Sequence, residues 1–192
     1  MNILKSIASL GCIILLSACA TPTTNLSSKD SDSIRGKGLL VVIENEGDLK
    51  SNLDGASLFG ALGQSVKGKS LQAELKLQSP SIAAKDELES FFKNRFNTTR
   101  GNDFNLKVHT SYWWLGKPIG GNGDIVGGVI IEIRLESSSG QLLASSTYNA
   151  NTMETQFVIK SKTISNSDIE AVQKIFDHLA HNAVQKFITT VS

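Results

Sequence analysis

The sequence predicts an α+β domain in which a mostly antiparallel sheet carries two amphipathic helices packed on one face. Several segments alternate apolar and polar residues with the period of two that a half-buried strand requires. Two other segments repeat their apolar residues with the helical period. The strand segments are grouped around the helices with hairpins between them, and this order favours antiparallel pairing over a doubly wound parallel sheet.

The first part of the domain runs from a buried strand to a long helix. The β-branched run LLVVI over residues 39–43 predicts a strand covered on both faces. Residues 44–69 are rich in Gly, Asn and Asp, with a short helical pattern over 57–66. Residues 71–78 alternate and predict a half-buried strand. A helix then begins at Ser79-Pro80. Its apolar stripe consists of Ala84, Leu88, Phe91, Phe92 and Phe96.

The second part predicts a meander of strands. Residues 104–114 alternate. Strict alternation places Tyr112 and Trp114 on the apolar face with Leu106 and Val108, and Trp113 on the polar face. A glycine-rich turn then leads to a strand over 124–136, whose apolar face includes Gly127. The sequence SSSG over 137–140 closes a hairpin to the next strand, and a weaker strand pattern covers 156–162.

The last predicted element is a C-terminal helix. Ser167 is its predicted N-cap, with Glu170 at the third helical position. The helical period then continues to the end of the chain. The buried side carries Ile169, Val172, Phe176, Leu179, Ala180, Ala183 and Phe187.

Composition and charge exclude several kinds of function. The chain has 192 residues and a net charge of +1, so it offers no basic surface for nucleic acid or for anionic lipid. Its two cysteines are Cys12 and Cys19, and no thiol follows them. The body of the protein therefore has no disulfide, no thiolate metal site and no cysteine nucleophile. We expect no metal and no cofactor.

The N-terminus has the parts of an export signal. Lys5 supplies a positive charge, and an apolar run of ten residues follows it after Ser6. Such a run is too short to span a bilayer, which needs about 20 residues. The following LSAC, residues 16–19, resembles the lipobox of bacterial lipoproteins. This resemblance implies a signal peptide over 1–18, cleavage after Ala18, and lipidation of Cys19. The alternative is an ordinary secretory signal followed by an incidental cysteine.

The residues after the lipobox predict a tether and a destination. Residues 19–35 are polar and predict a flexible tether, which is followed by a single periplasmic domain over 36–192. Ala20 and Thr21 follow the cysteine, so no aspartate stands behind it. Under the sorting rule of enteric bacteria, this resemblance implies an anchor in the outer membrane, with the domain on the periplasmic face.

The layout of the domain also resembles that of the small YajG-type lipoproteins and of other accessory periplasmic lipoproteins. The stretches that carry the resemblance are SLQAELKLQ, DELESFFKNRF, FNLKVHTSYWWL and DIVGGVIIEIRLESSSGQLLASSTYNAN. It implies a non-catalytic accessory or scaffold domain that acts through an envelope protein partner. The alternative is a periplasmic module that binds a lipid or a glycan. Such a module predicts an apolar cavity between sheet and helices, whereas an accessory domain predicts a filled core and an exposed aromatic patch.

Three patterns are candidates for a catalytic, nucleotide-binding or metal site, and each has a simpler structural explanation. Residues 63–70 match the P-loop pattern GxxxxGKS, but a P-loop needs a helix after Lys69, and the sequence there alternates instead. We therefore predict a hairpin loop. His178 and His181 point away from the apolar stripe of the last helix, which predicts solvated side chains rather than a metal site. His109 lies on the polar face of its strand.

The aromatic run Tyr112, Trp113 and Trp114 is the candidate site of partner contact. Consecutive residues on a strand face opposite ways, so at least one of these side chains must leave the main core face. It then lies either under another element or on a contact patch.

Overall fold

The computed structural model describes residues 23–44, 46–52, 76–116, 126–151 and 169–192. The helices in these ranges are α1 (Ser28–Ile34), α2 (Pro80–Phe96) and α3 (Ile169–Val191). The strands are β1 (Gly38–Glu44), β2 (Leu49–Asn52), β3 (Thr99–Arg100), β4 (Phe104–Gly116), β5 (Val126–Ser137) and β6 (Leu142–Asn151). No helix of the described ranges has both the length and the apolar character needed to cross a membrane.

The strands form one sheet in the order β3-β1-β4-β5-β6, with β2 beside the far end of β4. The two longest pairings, β4 with β5 and β5 with β6, are antiparallel, so the predicted α+β fold with a mostly antiparallel sheet is confirmed. The pairing of β1 with β4 is parallel. Parallel neighbours need a crossover connection, and α2 lies within the chain segment that joins these two strands.

The two long helices cover one face of the sheet and bury its core. Ser79 caps α2 by accepting a hydrogen bond from the Ser81 amide, and Pro80 occupies the first turn. The Phe92 and Phe187 rings stack between the helices with centroids 6.5 Å apart. The predicted stripe is correct, since four of its members are buried and Phe91 is partly buried. These four are Ala84, Leu88, Phe92 and Phe96.

The face of the sheet opposite the helices, here called the open face, differs from the prediction at β1. Leu39 and Val41 point towards the helices and are buried. Leu40 points the other way and is 39% exposed. The prediction that both faces of this strand are covered is therefore wrong, because the helices pack on one side of the sheet and β1 lies near its edge.

Residues 23–35, which were predicted to belong to the flexible tether, form an N-terminal strap together with Gly36. Thr24 pairs with Ser145 of β6 through two backbone hydrogen bonds of 3.1 and 2.9 Å. The strap then includes α1, where Ile34 is completely buried. The domain therefore begins before the predicted boundary at residue 36.

The strap supplies donors to the C-terminal ends of the two long helices. The Leu26 amide donates to the Thr190 carbonyl of α3 at 2.7 Å, and the Gly36 amide donates to the Phe96 carbonyl of α2 at 3.0 Å. The last carbonyls of a helix have no partner inside the helix, so these bonds satisfy acceptors that would otherwise need water. Its role in capping explains why a polar segment with little to bury is ordered.

Several predicted elements lie outside the described residues. These are the short helix over 57–66, the strand over 156–162 and the N-cap Ser167. Of the predicted strand over 71–78, the structure describes residues 76–78, and they form no strand. Leu77 is nevertheless buried, as its apolar position predicted.

Candidate interaction surface

The aromatic run on β4 is divided between the two faces of the sheet by a β-bulge. The pairing of β4 with β5 shifts register between Thr110 and Tyr112, so Ser111 is an extra residue without a cross-strand partner in β5. Trp113 therefore joins the core face and is only 1% exposed. The assignment of Trp113 to a partner contact is wrong, because its indole packs edge-on against Phe176 with centroids 5.0 Å apart.

The bulge is held in place by the short loop between β1 and β2. The Gly47 amide donates to the Thr110 carbonyl at 2.8 Å. In return, the Trp113 indole N–H donates to the Gly47 carbonyl at 2.6 Å. A Cβ at Gly47 would lie 2.5 Å from the Ser111 carbonyl oxygen, so only glycine fits here. The bulge thus depends on a residue more than sixty positions away in the sequence.

Tyr112 and Trp114 lie on the open face and form the aromatic pair of the candidate surface. Tyr112 is opposite Ile130, and Trp114 is opposite Gly128. A Cβ built on Gly128 would lie 2.2 Å from the Trp114 indole nitrogen, so the indole lies flat across the glycine backbone. Both side chains are half-buried, and burial raises the pKa of the Tyr112 hydroxyl.

An ion-pair cluster occupies the open face beside the aromatic pair. Lys107 is 3.3 Å from Glu44 and 2.8 Å from Glu136. Arg134 is 2.6 Å from Glu44 and 3.9 Å from both Glu132 and Glu136. The cluster therefore joins β1, β4 and β5 through interleaved charges. The sequence shows charged residues at alternate positions, but it does not show that these three strands are neighbours.

The cluster changes the pKa of two of its members. Partial burial of Glu44 by itself raises the pKa, but hydrogen bonds and charges from Lys107 and Arg134 outweigh it and lower the pKa below its ordinary value. The hydrogen bond to Glu136 raises the pKa of Lys107, and the partner Glu44 raises it further against the opposing effect of burial. The charged forms of both side chains are thus favoured in the folded protein.

The histidines occupy polar positions, as predicted. His181 of α3 is half exposed and lies 3.0 Å from Glu87 of α2. The His178 ring is 3.2 Å from the Asn182 side chain on the next turn. His109 is on the open face, where its Nδ1 is 3.2 Å from the Glu44 carbonyl. Among the described residues, no three His, Cys, Asp or Glu side chains are grouped as a metal site would require.

The remaining candidate residues lie outside the described parts of the chain. These are Ala18, Cys19 and the P-loop-like residues 63–70, so cleavage and lipidation remain predictions. The described residues 76–79, just before α2, are not helical.

Comparison with known proteins gives structural similarity alone. No protein-family model matches the chain, and no curated protein matches it in sequence. A Xanthomonas campestris protein of the family DUF330 is 12% identical with a TM-score of 0.44, covering 81% of this chain and 86% of that one. A candidate lipoprotein of Caulobacter crescentus is 11% identical with a TM-score of 0.41, covering 61% and 89%. PelC of Paraburkholderia phytofirmans, a dodecamer, is 12% identical with a TM-score of 0.37, covering 90% and 96%.

Proposed function

We propose that this chain is a lipoprotein anchored through Cys19 in the outer membrane, with a non-catalytic domain that acts in the periplasm through protein–protein contacts. The observation that carries the proposal is the aromatic pair on the open face. Large, half-buried aromatic side chains outside the main core are typical anchors of protein interfaces. Tyr112 and Trp114 are the two residues of the aromatic run that lie on this face, since Trp113 belongs to the core.

The packing of the core favours this function over a lipid- or glycan-binding module. A binding module would hold its ligand in an apolar cavity between the sheet and the helices. In the described residues, this space is occupied by large side chains that are almost completely buried. These include Phe92, Phe176, Phe187, Leu106, Ile131 and Trp113.

The position of the strap supports an anchor close to the domain. Thr24 is already paired with the sheet, and it follows Cys19 by five residues. An extended chain spans at most about 3.6 Å per residue, so the lipidated cysteine would stand within about 18 Å of β6. The domain would therefore work directly at the membrane surface.

The anchor is tested by following maturation in a bacterial host. We expect globomycin, which blocks the lipoprotein signal peptidase, to cause accumulation of the precursor, and Cys19→Ser to release the protein from the membrane fraction. Cys12→Ser is the control, because that residue lies inside the predicted leader and should be dispensable. A native protein that keeps its original N-terminus and an unmodified Cys19 would contradict the proposal.

The contact function is tested by crosslinking in living cells. A photoreactive phenylalanine at Tyr112 should capture a discrete envelope protein, because the side chain lies on the open face. The same probe at Lys174, an exposed position on α3, is the control for random collisions. A purified crosslinked partner that binds the wild type and is weakened by Trp114→Ala supports the proposal. Identical capture from both positions would refute it.

A further inference from the structure

Within the described residues, the outer edge of β1 is paired over only part of its length. β3 pairs with β1 at Gly38 and Leu39, and the pairing ends there. The carbonyls of Lys37 and Leu39 accept hydrogen bonds on this side, from Thr99 and Gly101. Because backbone groups alternate along a strand, the N–H and C=O groups of Val41 and Ile43 point to the same side. In the described part of the chain, no strand pairs with them there.

A groove runs along this edge, between β1 and α2. It has a volume of about 320 Å³, and Val41 is among its lining residues. One wall is formed by Lys85, Glu89 and Lys93, which follow one another at intervals of four residues and so lie in a row on α2. The groove is also lined by Leu39, Leu40, Thr98, Thr99 and Arg100.

The groove carries an excess of positive charge. Lys85 is 3.3 Å from Glu89, so these two charges compensate each other. Lys93 and Arg100 are exposed, and neither forms an ion pair within the described residues. The groove is lined by three cationic side chains and one carboxylate, which leaves two uncompensated positive charges beside the outer edge of β1. A partner complementary to both features has a free backbone and acidic side chains.

We propose that the groove between β1 and α2 binds an extended acidic peptide segment of a partner protein, which adds to the sheet as a strand beside β1. The main-chain groups of Val41 and Ile43 would pair with the segment, and Lys93 and Arg100 would bind its carboxylates. Strand addition at a sheet edge is a common way of recognising extended peptides. This surface is separate from the aromatic pair, and the proposal does not depend on the lipid anchor.

The experiment uses the full mature chain in detergent and a fluorescein-labelled peptide of alternating valine and glutamate. Fluorescence anisotropy should show saturable binding, and a peptide with lysine in place of glutamate should not bind. Lys93→Glu together with Arg100→Glu should raise the Kd by about tenfold, since two surface charges are reversed. Lys174→Glu is the matched control and should leave the Kd unchanged, because this exposed lysine lies outside the groove.

Hydrogen exchange distinguishes strand addition from simple charge attraction. Peptide binding should slow the exchange of the Val41 and Ile43 amides, which face the outer edge of β1. The amides of Leu40 and Val42 already face β4 and should change little. A peptide methylated on its pairing backbone nitrogens should not bind. The proposal would be overturned if the glutamate peptide did not bind or if the lysine peptide bound equally well. It would also be overturned by an unchanged Kd in the double variant, or by slowed amide exchange only at residues outside β1.

Discussion

Two adjacent glycines in β5 allow a helix and an indole to approach the same stretch of backbone from opposite faces. A Cβ at Gly127 would lie 2.6 Å from Ile175 Cγ2 on α3. A Cβ at Gly128 would meet the Trp114 indole on the open face. The position of Trp114 therefore depends on the absence of a side chain at Gly128.

This dependence predicts the effect of Gly128→Ala. The new methyl group must displace the indole, and overpacking of this kind typically costs about 1–3 kcal/mol in the free energy of unfolding. The same substitution in a Trp114→Ala background should cost much less, because the clash has been removed. Urea unfolding of the four proteins in a double-mutant cycle measures the coupling. If Gly128→Ala lowered the free energy of unfolding equally in both backgrounds, the new methyl group would not be in contact with the indole.

The ion-pair cluster predicts how stability depends on pH. The folded protein lowers the pKa of Glu44 below its ordinary value of 4.5. The contribution of the Glu44 carboxylate to folding stability is therefore complete above pH 4.5 and is lost as the pH falls through the lower pKa of the folded state. Glu44→Gln should therefore cost about 1 kcal/mol at pH 7, and the difference from wild type should narrow below pH 4.5. Urea unfolding across this range checks it.

The control for this experiment is Asp86→Asn, which removes an exposed carboxylate on α2 outside the cluster. The contribution of Lys107 to folding stability depends on pH in the opposite direction, because the folded protein raises its pKa. This contribution is complete below the ordinary pKa of 10.5 and is lost as the pH rises through the pKa of the folded state. A Glu44→Gln effect that is the same at pH 7 and at low pH would contradict the assignment.

At the scale of elements, β4 shows where apolar–polar alternation predicts the facing of side chains correctly and where it fails. The alternation correctly predicts that the strand begins at Phe104 and that Leu106 and Val108 are buried, and the strand continues two residues beyond the predicted end at Trp114. It fails after Thr110, because the bulge at Ser111 reverses which residues face the helices. The signal for that bulge is the close approach of Gly47, which belongs to another segment. Strict alternation therefore assigned Tyr112 and Trp114 to the core face and Trp113 to the opposite face, and the structure shows the reverse for all three.

The bulge predicts an unusual tolerance to deletion. Without Ser111, Tyr112 follows Thr110 directly and every later residue keeps its present face. Deletion of Ser111 should therefore preserve the fold, at a cost of about 1–2 kcal/mol for the lost contacts with Gly47. Deletion of Lys107 should instead unfold the domain, because a slip by one residue turns one part of the strand inside out. Circular dichroism and urea unfolding distinguish the two, and similar damage from both deletions would contradict the register.

The N-terminal strap predicts that a segment with the composition of a linker contributes to stability. Ile34 is completely buried in α1, so Ile34→Ala should cost about 2–5 kcal/mol. Ile82→Ala is the matched control, because that side chain is 38% exposed on α2, and it should change stability by about 0.5 kcal/mol or less. Equal effects in urea unfolding would show that the strap does not pack as described.

The polar composition of residues 23–36 could not predict this strap. The strap is stabilised by its backbone amides, which donate hydrogen bonds to carbonyls at the C-terminal ends of the helices. The sequence does not show which carbonyls lie within reach of these amides. The same limitation applies to the sheet, since the periodicities predicted the strands but not the parallel pairing of β1 with β4. The fold class and the two helical stripes were predictable because they depend on local periodicity alone.

At the scale of the whole molecule, the N-terminal end of the strap and the outer edge of β1 lie at opposite edges of the sheet. Thr24 pairs with β6, whereas the acidic-peptide groove lies beyond β1. Three strand spacings of about 4.8 Å separate β6 from β1, or about 14 Å. A lipid attached at Cys19 would therefore hold the β6 side near the membrane and direct the outer edge of β1 away from it.

This orientation predicts a difference in membrane proximity. No cysteine follows Cys19 in the sequence, so in the proposed lipidated form a single introduced cysteine would carry a fluorophore without competition. A label at Asn149→Cys on β6 should be quenched more strongly by spin-labelled lipid headgroups than one at Thr99→Cys on β3. Both positions are exposed, which makes them a matched pair. Equal quenching in vesicles would show that the anchor does not orient the domain.

The two indoles on β4 give the protein a pair of intrinsic optical reporters. They are the only tryptophans in the chain. Trp113 is buried between the sheet and the helices, and Trp114 lies on the open face of the same strand. A chain with Trp114→Phe would emit from the interior alone and report unfolding. A chain with Trp113→Phe would emit from the open face alone and report the arrival of a partner. One spectroscopic measurement could thus separate loss of structure from occupation of a surface.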